Sequence, residues 1–226
     1  MSIYWILFIG VAILSYVVQY SFKKKMAKAS ELPLLSGITG REVATRMLQE
    51  NGIRNVKVTS TPGELTDNYN PTNQTVNLSE AVYAESNVAA AAVAAHECGH
   101  AVQHAQGYVP VKIRSALVPV VSISSRLVPF VLLGGMLLIE VFPHLLWLGI
   151  GLFALTTLFT FVTLPVEIDA SRRALAWLNQ TDIIDLSNQD EARDALRAAA
   201  YTYVIAAISS LATLLYYLSI ASGRRN

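Results

Sequence analysis

Apolar and polar residues are distributed along this chain in long blocks. Residues 3–20, IYWILFIGVAILSYVVQY, carry no charge. Residues 127–166 run LVPFVLLGGMLLIEVFPHLLWLGIGLFALTTLFTFVTLPV with one acid, Glu140, close to Pro143 and His144. Residues 199–221, AAYTYVIAAISSLATLLYYLSIA, form a further block. A helix crosses a bilayer in about 20 residues at 1.5 Å each, so the long block accommodates two crossings. Glu140–His144 is the natural turn between them, because charge and proline are tolerated there. The pattern predicts a first transmembrane helix over 1–22, a transmembrane hairpin over 116–166 and a last span over 199–221. A buried core in a soluble protein is the poorer reading, since so few polar residues could not cover such runs.

The polar blocks carry helix and turn signals. SGITGREVATRMLQENG (36–52) predicts a helix with Thr39 as N-cap. Val43, Ala44, Met47 and Leu48 form its apolar stripe, and Gly52 is its stop. VKV (56–58) is a strand candidate, and LTDNYNPTNQTVNLS (65–79) predicts two strands around a turn at Asn70–Asn73. Asn87 is a good N-cap for an alanine-rich helix over 87–107, closed by Gly107. Residues 111–126 are polar enough to lie at an interface or to begin the second span.

Composition agrees with a membrane location. Of 226 residues, 53% are hydrophobic and 15% charged, against about 25% charged in soluble domains. A net charge of +1 argues against a nucleic-acid partner. The single cysteine, Cys98, excludes an internal disulfide framework. Lys23, Lys24, Lys25 and Lys28 follow the first apolar block, and the Glu140–His144 turn has no Lys or Arg. The positive-inside rule then places residues 22–115 and 167–198 in the cytoplasm. Arg224 and Arg225 oppose this, but the lysine cluster is larger and comes first. The same charge placement argues against a secretory signal peptide.

The chemistry concentrates in AAHECGHAVQHAQGY (94–108). On a helix, positions four apart lie about 40° from one another, so His96 and His100 address one ion. Glu97 lies about 60° from His100, placed to take a proton from an attacking water. Zinc suits neutral imidazoles and brings the pKa of bound water to about 7. HExxH is a short pattern, and chance occurrences are its bland alternative. The firm helix caps and the alanine flanks favour the metal reading. Catalytic zinc has three protein ligands in most sites. His104 is about 12 Å along the axis from His96, too far, and Gln103 and Gln106 stand where the metzincin pattern needs Gly and His. In LPVEIDASRRALAWL (164–178), Glu167 is the expected third ligand, with Asp169 as alternative ligand or as a group orienting a histidine. A salt-bridged interfacial segment, pairing these acids with Arg172 or Arg173, is the competing reading. Cys98 is read as a small buried residue beneath the site.

HECGHAVQHAQGY, DNYNPTNQTVNLS and LPVEIDASRRAL together resemble the YugP-type membrane zinc metallopeptidases of bacteria, in order and over nearly the whole chain. The family's upstream motif is more usually DHYDP, where this chain has Asn68 and Asn70. Its plan is similar to the HtpX-type gluzincins, in which aspartate follows the glutamate at +4; here aspartate is at +2 and Ser171 at +4. The resemblance implies a mainly α, integral membrane fold, with about four transmembrane helices and a small α+β gluzincin-like peptidase domain containing a short β-hairpin. It implies a Zn2+-dependent endopeptidase, multi-pass in the bacterial inner membrane. The active site would face the cytoplasm, within a peptidase region over 23–115 and a ligand-bearing segment over 167–198. Its partners would be a protein or peptide substrate, the lipid bilayer and, potentially, other membrane proteins. An edge strand over Thr75, Val76, Asn77 and Leu78 would take extended substrate by strand addition. Arg172, Arg173, Tyr69 and Tyr108 are candidates for stabilising the oxyanion. Two other classes compete. A non-catalytic zinc-containing scaffold would favour a closed, cysteine-rich site. A transporter, suggested by Arg126 and Glu140, would need a span with polar residues at helical spacing, and none is expected.

Overall fold

The computed structural model describes residues 2–223; Arg224 and Arg225, which bore on orientation, lie outside the described residues. The chain runs through α1 (Ser2–Ser30), α2 (Gly40–Glu50), β1 (Lys57–Thr61), β2 (Asn68–Asn70), β3 (Thr75–Ser79), α3 (Glu80–Ala84), α4 (Val88–Ala105), α5 (Val109–Leu137), α6 (Pro143–Gln180), a 3-10 turn (Leu186–Asn188) and α7 (Gln189–Ser222). The fold is mainly helical, with a small three-stranded sheet and four helices long and apolar enough to cross a membrane.

Local signals account for the helix ends. Thr39 and Glu42 form a reciprocal capping box at the start of α2, and Val43, Ala44, Met47 and Leu48 are buried beneath it. Gly52 adopts φ +73° after that helix and Gly107 φ +66° after α4, the left-handed conformation that glycine tolerates best. Asn87 caps α4, its Oδ1 accepting the Ala90 N–H at 2.8 Å.

The hairpin forms as its turn chemistry predicts. Asn70 Oδ1 accepts the Thr72 and Asn73 N–H groups at 2.9 and 3.4 Å, and β2 pairs antiparallel with β3. The sheet order is β1-β3-β2, with β1 parallel to β3. This corrects the edge-strand expectation. Thr75, Val76 and Asn77 have partners on both sides, and Leu78 pairs with Ser60. β3 is therefore the central strand. The reason is that the VKV segment returns alongside it, a long-range pairing with no local signature.

α4 runs through the middle of the polar half. Its alanine-rich surface is buried nearly all round, against α2 on one side and α6 on another. Small side chains allow that close packing. The long helices stand in a row, α5–α6–α7–α1, each packed mainly on its neighbour in that order. Lys25 and Lys28 reach Asp194 and Glu191 at 3.0 and 2.9 Å, fastening the end of α1 to the start of α7.

α5 and α6 form the expected hairpin, turning at residues 138–142, but the helices exceed the expected spans. The segment 167–198 does not stand apart: residues 167–180 continue α6 and 189–198 open α7. Thirty-eight residues make α6 about 57 Å long, well beyond a hydrocarbon core of about 30 Å. Pro165 lies inside it. Burial of Val166, Glu167, Ala170 and Ala174 against the rest of the fold holds the helix together across the proline.

Candidate metal centre

α4 and α6 bring the site together. His96 and His100, one turn apart on α4, present Nε2 atoms to Glu167 Oε2 of α6 at 3.2 and 3.4 Å. The three ligand atoms lie within 4.8 Å of one another, and Glu167 is only 2% exposed. Tetrahedral zinc with bonds of 2.0–2.1 Å would separate its ligand atoms by about 3.3 Å. Two imidazoles and one carboxylate at these spacings fit zinc, with room for one further ligand.

Each histidine is held from behind. Ser171 Oγ lies 3.1 Å from His96 Nδ1, and Gln103 Oε1 lies 3.0 Å from His100 Nδ1. Gln103 is fully buried; its Nε2 donates to the Val166 carbonyl at 2.8 Å and to Asp169 Oδ2 at 2.9 Å. Such partners orient an imidazole and turn its other nitrogen toward a metal. Gln103→Leu and Ser171→Ala should each lower zinc affinity by about 10–100-fold, measured by competition with a chromogenic chelator on the purified protein.

Glu97 is buried beside the histidines, near the backbone of Tyr69 in β2. Burial pushes its carboxyl up to about 7, against the pull of His96. That range suits a group that takes up and releases a proton near neutrality.

The close approach of the two helices depends on Gly99, in the middle of the HECGH stretch. A Cβ there would stand 2.6 Å from the Ala170 carbonyl oxygen and 3.1 Å from Ala170 Cα. The absent side chain is what lets α6 carry Glu167 to the imidazoles.

The remaining expected residues separate into near and far. Asp169 is outside the three-atom group; it holds Gln103 and Arg173 rather than a histidine. Arg173 also donates to Gln106 Oε1 at 2.6 Å and lies over the Tyr108 ring at 5.7 Å, so both are engaged away from the ligand atoms. Arg172 is exposed. Tyr69 lines a groove together with His100, and its hydroxyl lies 3.2 Å from His104 Nδ1; His104 takes no part in the ligand group. Cys98 is buried toward α2, with Sγ 3.5 Å from the Ala44 carbonyl.

Sequence reasoning missed Arg114 and Tyr203. Arg114 Nη1 lies 3.4 Å from Glu167 Oε1, and its Nε is buried without a hydrogen-bond partner. Tyr203 of α7 lies close enough to Glu167 to feel its charge. No motif marks either, since both reach the site through helix packing. The signal for Gln103 and Ser171 was present: they follow His100 by three residues and Glu167 by four, one turn along the same helix face.

A groove of about 450 Å³ opens beside the site, lined by Asn68–Thr72, His100, Val111, Arg114, Ser115, Val118 and Pro119. Its walls are β2 with the following turn and the first turns of α5.

A three-donor set with a carboxylate alongside, carried on a scaffold of membrane-length helices, defines a membrane protein with a candidate mononuclear metal centre. The model of a family described as "Putative neutral zinc metallopeptidase" matches residues 4–222, and the chain belongs to that family. It is 41% identical over 207 residues to the "Putative membrane protease YugP" of Bacillus subtilis (strain 168), covering 92% of this chain and 91% of that protein. No solved structure matches the chain.

Proposed function

We propose that this protein is a membrane-embedded, zinc-dependent endopeptidase of gluzincin type. The observation that carries the reading is the meeting of His96, His100 and Glu167, from two helices, with Glu97 buried beside them. Zinc held by these three groups would supply Lewis acidity, polarising a carbonyl and acidifying water. Glu97 takes the proton from the attacking water and returns it to the leaving amine. Arg114, beside Glu167 and lining the groove, offers positive charge to the carbonyl oxygen as it becomes negative. Ser171 and Gln103 keep the imidazoles oriented throughout. The substrate lies extended in the groove between β2 and α5.

The site lies at the end of the long helices where Lys23, Lys24, Lys25 and Lys28 also gather. The excess of basic residues there supports a cytoplasmic site, and the Bacillus subtilis relative supports a bacterial plasma membrane. Substrates are then membrane proteins or their cytoplasmic segments.

Glu97→Gln tests the reading. The variant should retain zinc, measured by elemental analysis, while cleavage of an unstructured reporter such as casein falls by about 10²–10⁴-fold. Undiminished cleavage would refute the assignment.

A further inference from the structure

α5 carries serines, prolines and one arginine along a single exposed face. Because α5 is one helix from Val109 to Leu137, residues 111–126 run without a break into the apolar span. Ser115, Pro119, Ser122, Arg126 and Pro129 are all exposed. Spacings of four, three, four and three residues keep them within about 40° of one line along the helix. Exposed Val120, Ile123, Leu127 and Phe130 flank that line. α5 packs on α6 through its opposite side, where Val121, Ser124, Val128 and Leu132 are buried.

Arg126 is the unusual member. It makes no hydrogen bond or ion pair among the described residues. By helix rise it stands about 16 Å from the Leu137 end of α5 and about 18 Å from Arg114. That places it near the middle of a hydrocarbon core of about 30 Å, too deep to reach either headgroup layer. A guanidinium there calls for an acceptor. The prolines add to the demand, since each lacks the N–H that would bond the carbonyl four residues earlier, at Ser115 and Ser125. A second copy of this chain supplies no carboxylate at that depth. In one shared orientation copies meet at equal depth, and no Asp or Glu lies within residues 109–137, 143–166 or 195–222, or in the first apolar block. The lower end of the stripe is the groove itself, for Ser115 and Pro119 line it beside His100 and Arg114.

We propose that this face of α5 docks the transmembrane helix of a substrate protein. Arg126 would engage a carboxylate or other strong acceptor at mid-span, and the docked helix would feed its cytoplasmic extension into the groove. The inference rests on the peptidase reading and adds a substrate class to it: membrane proteins with a polar acceptor within a span.

The test uses the full chain reconstituted in phosphatidylcholine vesicles with single-span leucine–alanine peptides. One peptide carries aspartate at mid-span and the other leucine, and both bear the same unstructured cytoplasmic-side reporter. Association is read by fluorescence energy transfer. The aspartate peptide should associate about ten-fold more tightly, an advantage that Arg126→Leu abolishes and Arg126→Lys largely keeps. Equal association of the two peptides, or an advantage that survives Arg126→Leu, overturns the proposal. Glu97-dependent cutting of the reporter is scored separately. An aspartate peptide that docks through Arg126 and is never cut upholds the docking face and removes the peptidase reading instead.

Discussion

Glu167→Gln is expected to empty the zinc site of the purified protein, with affinity falling by more than the roughly 10–100-fold attached to an orienting residue. Three consequences of one substitution combine. A glutamine amide is a poor zinc ligand beside a carboxylate, so two imidazoles on one helix turn are left to hold the ion. Arg114 and Tyr203, which both face Glu167, lose the negative charge they surround. The amide also presents a donor to that same guanidinium. Asp169→Asn is the informative comparison. Asp169 reaches the site only through Gln103, so its loss should cost within the 10–100-fold range. Equilibrium dialysis against buffered zinc measures both. If the Asp169 variant loses more zinc than the Glu167 variant, the third ligand has been assigned to the wrong carboxylate.

Gly99→Val should be nearly as damaging, although the residue donates nothing to a metal. The first atom of any side chain at this position meets the Ala170 backbone 2.6 Å away, and backbone cannot swing aside as a side-chain tip can. Relief requires α4 and α6 to separate. Overpacking of this kind costs about 1–3 kcal/mol, which a fold of this size can absorb. The site cannot absorb it, because the Glu167–imidazole spacings of 3.2 and 3.4 Å span the same helix contact. Zinc content and cleavage should therefore both be lost while the far-ultraviolet circular dichroism stays helical. Gly151→Val is the matched control: it also lies in α6, and a Cβ there meets nothing within 4 Å. Normal zinc content in the Gly99 variant would show that the α4–α6 approach does not set the metal geometry.

The parts of the fold legible beforehand share a property: each is decided within a few residues. Thr39, Asn87 and Gly107 mark helix ends because capping and left-handed turns are local chemistry. His96, Glu97 and His100 are adjacent because one turn of helix makes them so. The extents of α5 and α6 were less legible. Their polar ends lack the hydrophobic signal of a span, and it is packing against α4 that keeps α6 helical through Pro165 and Glu167.

From the sequence alone came a chain with four membrane-length apolar helices, a two-histidine motif with a glutamate, and two nearby acids competing to complete it. The sequence favoured Glu167 over Asp169, and tertiary structure sets Glu167, not Asp169, beside the imidazoles. On α6, Glu167 and Asp169 lie two residues and so about 160° apart around the axis, and only the face closed against Gly99 points at the imidazoles. Tertiary structure also placed Thr75–Leu78 in the middle of the sheet and brought Arg114 and Tyr203 to the carboxylate. These relations depend on how whole helices and strands pack across large sequence separations, which no short window of sequence encodes.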